Sequence, residues 1–168
     1  MRTFFAVFIL LSFVSGCKNA EKNTKNSTEA STIEILPDTK VTEIAQGQNG
    51  GFENQKFTVI HSKEEFEKYW AIAYKNYLEK PELPNIDFEK ENVILIAAGT
   101  QNSGGYNIYL LPEPNLTGQN FLFTVILEKP GNNCVVTEAL TSPYKFYSVK
   151  KAIDPIDFTL KEKVIECK

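Results

Sequence analysis

Residues 92–111 read NVILIAAGTQNSGGYNIYLL. Two apolar runs, residues 92–98 and 107–111, flank a polar, glycine-rich interval, residues 99–106. Both runs read as strands, so the stretch is a strand–loop–strand unit with one aromatic, Tyr106, at the loop exit. Adjacent Gly104 and Gly105 permit positive φ without a Cβ clash and let the backbone approach another surface closely. Two readings of the loop stand side by side. One is a plain hairpin connection with turn glycines and Tyr106 as an ordinary strand aromatic. The other is a backbone-rich binding loop at the end of a β-sheet.

Working outward, further strands are expected at residues 41–45, 57–60, 120–127, 144–149 and 158–167. In the 120–127 run, Phe121, Phe123 and Val125 fall on one face. Ser62-Lys63-Glu64-Glu65 forms a capping box, Ser62 capping the first turn and Glu65 reaching back to the cap amide. The helix it opens is expected to run to about Leu78, with Phe66, Tyr69, Trp70, Ala73 and Tyr77 on one face packed against a sheet. Residues 80–84, with Pro81 and Pro84, stop it. Residues 112–118 and 129–133 read as turn-rich connections, and the segment from Val135 to Leu140 is ambiguous. The expected fold class is α+β: one domain over residues 41–168, mainly an antiparallel β-sandwich or strongly curved sheet with one amphipathic helix.

The N-terminus speaks to compartment. Met1-Arg2 is a short basic start, and residues 3–14 form an apolar run too short to span a bilayer. The run ends in Val14-Ser15-Gly16-Cys17, which resembles a bacterial lipobox. Residues 1–16 are therefore expected to be a lipoprotein signal peptide, with Cys17 the lipidated N-terminus of the mature chain. Lys18 in place of an Asp favours the outer membrane over retention at the inner one. Residues 17–40 are rich in Asn, Lys, Thr, Ser and Glu and read as a disordered tether. With Cys17 assigned to lipid, Cys134 and Cys167 remain. An even pair in an oxidising envelope compartment is expected to form a disulfide, tying the last residues to the loop after Gly131.

Composition narrows the function classes. Eighteen basic and 21 acidic residues give a net charge of −3, and without a basic stripe a nucleic-acid partner is not expected. One histidine, His61, and the lack of a Cys-x-x-Cys motif speak against a metal site. The glycine loop lacks the Lys-Ser/Thr of a phosphate loop, and no cofactor is expected. Catalysis needs a nucleophile, a base and an orienting group within reach. Cys134 with His61 is the one pair available on paper, and Cys167 is the simpler partner for Cys134. The carboxylates Glu64/Glu65 read as a helix N-terminus and Asp154/Asp157 as a solvated turn. The expectation is a protein that is not an enzyme.

An ordered set of motifs adds a family. It runs Val59-Ile60-His61-Ser62 with Glu65-Phe66 and Trp70, then Ile86-Asp87-Phe88 and the 92–98 strand. It continues through Gly104-Gly105-Tyr106 with Ile108, Pro130-Gly131, and Thr141-Ser142-Pro143-Tyr144. Over about residues 57–150 this resembles the C-terminal domain of the PrcB family, protease-complex or protease-stability subunits often found as bacterial lipoproteins. The Asn-Cys pair after Pro130-Gly131 and the cysteine-bearing tail depart from that pattern. The resemblance implies a non-enzymatic subunit that binds and stabilises an envelope protease or its complex. A looser likeness is to chagasin-type cysteine-protease inhibitors. There the loops at Asn102-Ser103-Gly104-Gly105-Tyr106, at residues 130–133 and at Ser142-Pro143-Tyr144 would form an inhibitory edge. Both readings make Asn102, Ser103, Gly104, Gly105, Tyr106, Pro143 and Tyr144 a protein-binding rim. A structural envelope lipoprotein without a protease partner is the third reading.

Overall fold

The structure is a computed structural model that describes residues 40–167; the leader, Cys17 and the segment up to residue 39 lie outside the described residues. The elements follow in the order β1 (Val41–Gly47), β2 (Lys56–Ile60), α1 (Lys63–Ala73), β3 (Glu91–Ala97), β4 (Asn107–Leu110) and β5 (Asn115–Thr117). Then come β6 (Asn120–Pro130), β7 (Tyr144–Lys150), a 3-10 turn at Lys151–Ile153, and β8 (Ile156–Ile165).

Strand β3 explains the layering. It is buried from Asn92 to Ala97. Side chains alternate across a strand, so an unbroken apolar run must be covered on both faces. Ile94 and Ile96 enter one cluster with Tyr147 and Val149 of β7, Ile108 and Leu110 of β4, and Phe121, Phe123, Val125 and Leu127 of β6. Val93, Leu95 and Ala97 enter a second with Phe146 and Tyr144 of β7 and Phe66, Trp70 and Ala73 of α1. The result is three layers: α1, a first sheet, and a second sheet.

The first sheet has the order β1-β7-β3-β2, antiparallel throughout. The second is built around β6. Strand β8 pairs with it in parallel from Phe121↔Ile156 to Pro130↔Ile165. Strand β4 pairs antiparallel with Val125–Glu128 and β5 with Asn120–Leu122. With β8 along one edge of β6, β4 and β5 share the other end to end. Inward Phe158 and Leu160 alternate with exposed Lys161 and Lys163 on β8, which keeps a charged outer row on an edge strand.

The α+β, mainly antiparallel architecture agrees with the sequence expectation; the parallel β6–β8 pair and the short β5 are additions to it. The helix begins as expected, with the Ser62 hydroxyl accepting from the Glu65 amide at 3.2 Å. Glu65 reaches one residue further back than the capping box predicts, accepting from the His61 amide at 3.1 Å. The helix ends at Ala73 and not near Leu78, where residues 50 and 51 meet its last turn from outside. The Gly51 amide donates to the Ile72 carbonyl at 3.0 Å, and the Asn76 side chain donates to the Gly50 carbonyl at 3.1 Å. Phe66, Trp70 and Ala73 are buried, Tyr69 is half-buried, and Tyr77 packs from the following turn on Tyr74. Among the described residues, no helix is long and apolar enough to cross a membrane.

Register fixes two poles. Val41 lies opposite Val149, and Val149 opposite Asn92. Gly47 lies opposite Tyr144, and Tyr144 opposite Ala97. The chain therefore enters at the Val41 pole, and the loops after β3 and before β7 emerge at the other, roughly 20 Å away along β1.

Candidate functional site: a two-loop rim

Beyond Ala97 and Tyr144 the β3–β7 pairing does not stop. The Ala98 amide donates to the Pro143 carbonyl at 2.9 Å. Gln101 and Thr141 exchange backbone hydrogen bonds at 2.7 and 3.1 Å, and the Gly104 amide donates to the Thr137 carbonyl at 2.9 Å. The Thr141 hydroxyl donates to the Ser103 carbonyl at 2.8 Å. Residues 98–106 and 131–143 thus form one irregular ribbon, not two independent loops. Its base is locked by residues 48–53. Ser142 donates through its amide to the Gln48 carbonyl (2.7 Å) and through its hydroxyl to the Phe52 carbonyl (2.8 Å).

Two glycines are required by this geometry. Gly99 has φ +76°, and a Cβ there would stand 2.7 Å from the Gln55 amide nitrogen. Gly105 has φ +84°, and a Cβ there would stand 2.9 Å from Val136 Cγ1 and 3.3 Å from Pro130 Cβ. Both positions combine left-handed backbone with close approach, a combination that glycine alone tolerates well.

The expected rim residues divide into two groups. Asn102 and Gly105 are exposed, and Ser103 and Gly104 half-buried. Tyr106 is half-buried too, leaning on the core between the sheets, so it is part wall and part surface. Pro143 and Tyr144 are corrections. Pro143 is buried at the base of the ribbon, and Tyr144 is 1% exposed. Tyr144 shares its β7 face with Phe146, which turns it toward α1, where its ring meets those of Phe52, Tyr74 and Phe146 at 5.8–5.9 Å. Burial, with the Tyr74 and Tyr77 hydroxyls as neighbours, raises its hydroxyl above the ordinary phenol range. Neither side chain presents a contact surface.

Two residues that the sequence left ambiguous stand at the rim in their place. Val135 is 102% exposed and Leu140 70%. A Val-Val pair followed by a nearby Leu reads as readily as a short buried strand, so hydrophobicity alone did not mark them. Charge could have. In a chain that is 23% charged, residues 99–107 carry no charge and residues 131–144 carry Glu138 alone. Among the described residues the ion pairs sit elsewhere, including Lys129–Glu162 (2.7 Å), Lys163–Glu128 (3.1 Å) and Lys145–Glu43 (2.8 Å).

Cys134 and Cys167 are joined in a disulfide, as expected, with Cα atoms 5.0 Å apart. Around it the Gly131 amide donates to the Ile165 carbonyl at 2.9 Å. The Asn133 side chain brackets Cys167, donating to its carbonyl at 2.5 Å and accepting from its amide at 3.3 Å. A cleft of about 460 Å³, lined by Tyr106, Pro130, Asn133 and Val164, runs beside this corner. His61 follows Ile60, whose partner Val93 lies at the Val41 pole, and its Nδ1 stands 3.7 Å from Asp154 Oδ2. His61 and Cys134 are therefore at opposite ends of the domain, and Cys134 is held by Cys167.

Comparison with protein families matches residues 92–150 to the family described as PrcB C-terminal. The match begins at the second residue of β3, encloses both rim loops and ends with β7. It leaves β2 and α1 outside, although the sequence resemblance takes them in. No curated protein and no solved structure matches the chain.

Proposed function

With residues 92–150 assigned to the PrcB C-terminal family, we propose that this protein is a non-catalytic binding subunit. It engages a protease or protease complex through the rim, stabilises it, and is held at the bacterial envelope, on the outer membrane, by lipid on Cys17. One observation carries the binding part: a ribbon whose one charge is Glu138, fixed by backbone hydrogen bonds and two obligate glycines, lifts Val135 and Leu140 into solvent. Charge-depleted surface with exposed aliphatic side chains is the composition of an interface centre. A ribbon already ordered loses little freedom on association, so more of its contact energy appears as affinity. The family match supports a protease-related partner, and the lipobox-like leader sequence supports the anchor. Residue 40 enters at the pole opposite the rim.

The inhibitor alternative draws on three loops, and the third of them rests on Tyr144, which faces the core. The burial of Tyr144 takes a residue from both rims, and it is the family match that favours stabilisation of the partner. The test is affinity capture from detergent-solubilised envelopes with the lipidated full chain as bait. A Val135→Asp/Leu140→Asp variant, checked for folding, runs beside it. A protease recovered by the native rim and lost with the variant supports the reading, and an activity assay then separates stabiliser from inhibitor. Matching eluates without a protease would sink it in favour of a structural envelope role.

A further inference from the structure

We propose that the Cys134–Cys167 disulfide is a redox modification site for an envelope dithiol, and that its state sets the stiffness of the rim and so the affinity for the partner. This rests on the binding reading above. The placement of the bond carries it. The β6–β8 ladder ends at Pro130↔Ile165, so Glu166 and Cys167 lie beyond it. Cys167 is attached by the disulfide and the Asn133 bracket, and both Cys167 and Asn133 are exposed. On the other side, Cys134 immediately precedes exposed Val135. From Cys134 to the Thr137–Gly104 hydrogen bond, Val135 and Val136 span the gap between two attachments. One attachment belongs to the second sheet through β8, the other to the ribbon that extends the first sheet. Opening the disulfide removes the covalent one and leaves exposed hydrogen bonds that exchange readily with water. The ladders and both cores lie outside the changed segment.

The chemistry balances with a dithiol as the named reductant. Its thiolate attacks the sulfur of exposed Cys167, forming a mixed disulfide and expelling Cys134 as a thiolate, which takes up a proton. The second thiol of the reductant then attacks the mixed disulfide, releasing Cys167 as a thiol. The reductant leaves as its own disulfide, so two electrons and two protons pass to the protein.

The test uses the mature full chain in detergent. Amide hydrogen exchange is read before and after complete reduction by dithiothreitol, with thiols counted. Capture of the protease partner is compared for the native chain and a Cys134→Ser/Cys167→Ser variant, which keeps the partner itself oxidised. The expected result is an increase of about tenfold or more in exchange at Gly104 and Gln101, with β3 and β6 amides unchanged. Capture by the variant is expected to weaken about tenfold. Unchanged exchange at Gly104 after full reduction overturns the proposal. So does loss of protection throughout β3, which would make the bond a global staple, and so does faster rim exchange with undiminished capture. Exchange is read without a partner, so a failure of the binding reading, seen as undiminished capture by the Val135→Asp/Leu140→Asp variant, stays distinguishable.

Discussion

Tyr147 and Tyr144, two phenols on one strand, make the domain sensitive to alkali. Burial pushes Tyr147 up to about 12, with the Leu110 amide donating to its oxygen at 3.3 Å as a partial offset. Tyr144 is raised further by burial and by its Tyr74 and Tyr77 neighbours. A raised pKa means that the folded chain keeps protons which the unfolded chain releases near pH 10. The stabilisation is whole below that pH and is lost as pH rises from 10 toward 12. For Tyr147 alone this amounts to about 2–3 kcal/mol. Urea unfolding is expected to show a steep loss of stability above pH 10, shallower in Tyr147→Phe. At the same scale, Gly105→Ala is expected to cost about 1–2 kcal/mol from backbone alone, and more from Val136. Gly118, at φ +65° with open space around it, separates the two effects: Gly118→Ala should show the backbone part only. Thermal melts of the two variants check this. The orientation of Tyr144 was not legible in the sequence, because β7 is covered on both faces and offers no polar side to fix the alternation.

At the scale of elements, α1 holds its place through Trp70 and Phe66 and not through its own propensity. Trp70 is 7% exposed, ringed by Phe66, Tyr74 and Phe146, and its Nε1 donates to the Pro81 carbonyl at 3.2 Å. Trp70→Ala is expected to cost about 3–5 kcal/mol, and Ser62→Ala about 1 kcal/mol by loss of the cap; denaturant midpoints distinguish them. The start of this helix was legible because capping is local chemistry. Its end was not, since Tyr74 and Tyr77 continue the helical spacing while the distant Gly50 and Gly51 meet the last turn, Gly50 accepting from Asn76 and Gly51 donating to Ile72. Strand β5 was hidden for a related reason: all three of its residues are exposed, so no alternation announces it. The β6–β8 pairing is a contact between distant segments, and local pattern carries no trace of its parallel sense. The rim was half legible. Gly104 and Gly105 pointed to it, but which apolar residues crown it depended on the fold of residues 131–143.

For the whole molecule, charge and connectivity separate the two faces of its work. Glu128 on the outer face of the second sheet is held below the usual carboxylate range by the Asn107 amide group and by Lys163. A lowered pKa contributes stability above the ordinary value of 4.5 and loses it as pH falls through the folded value. The stability gap between the native chain and Glu128→Gln is therefore expected to close in acid, as equilibrium unfolding across pH would measure. Binding at the proposed rim, where Glu138 is the one charge, should by contrast vary little with salt. The arrangement of β1 has a mechanical side. A pull on the chain upstream of Lys40, opposed by a grip on the rim, draws the Val41 end of β1 one way and the Tyr144 end of β7 the other. Antiparallel neighbours loaded from opposite ends slide rather than peel, so the paired residues from Val41↔Val149 to Gly47↔Tyr144 take the strain together and not one after another. With the proposed anchor at one pole and the proposed grip at the other, the load would fall along this ladder.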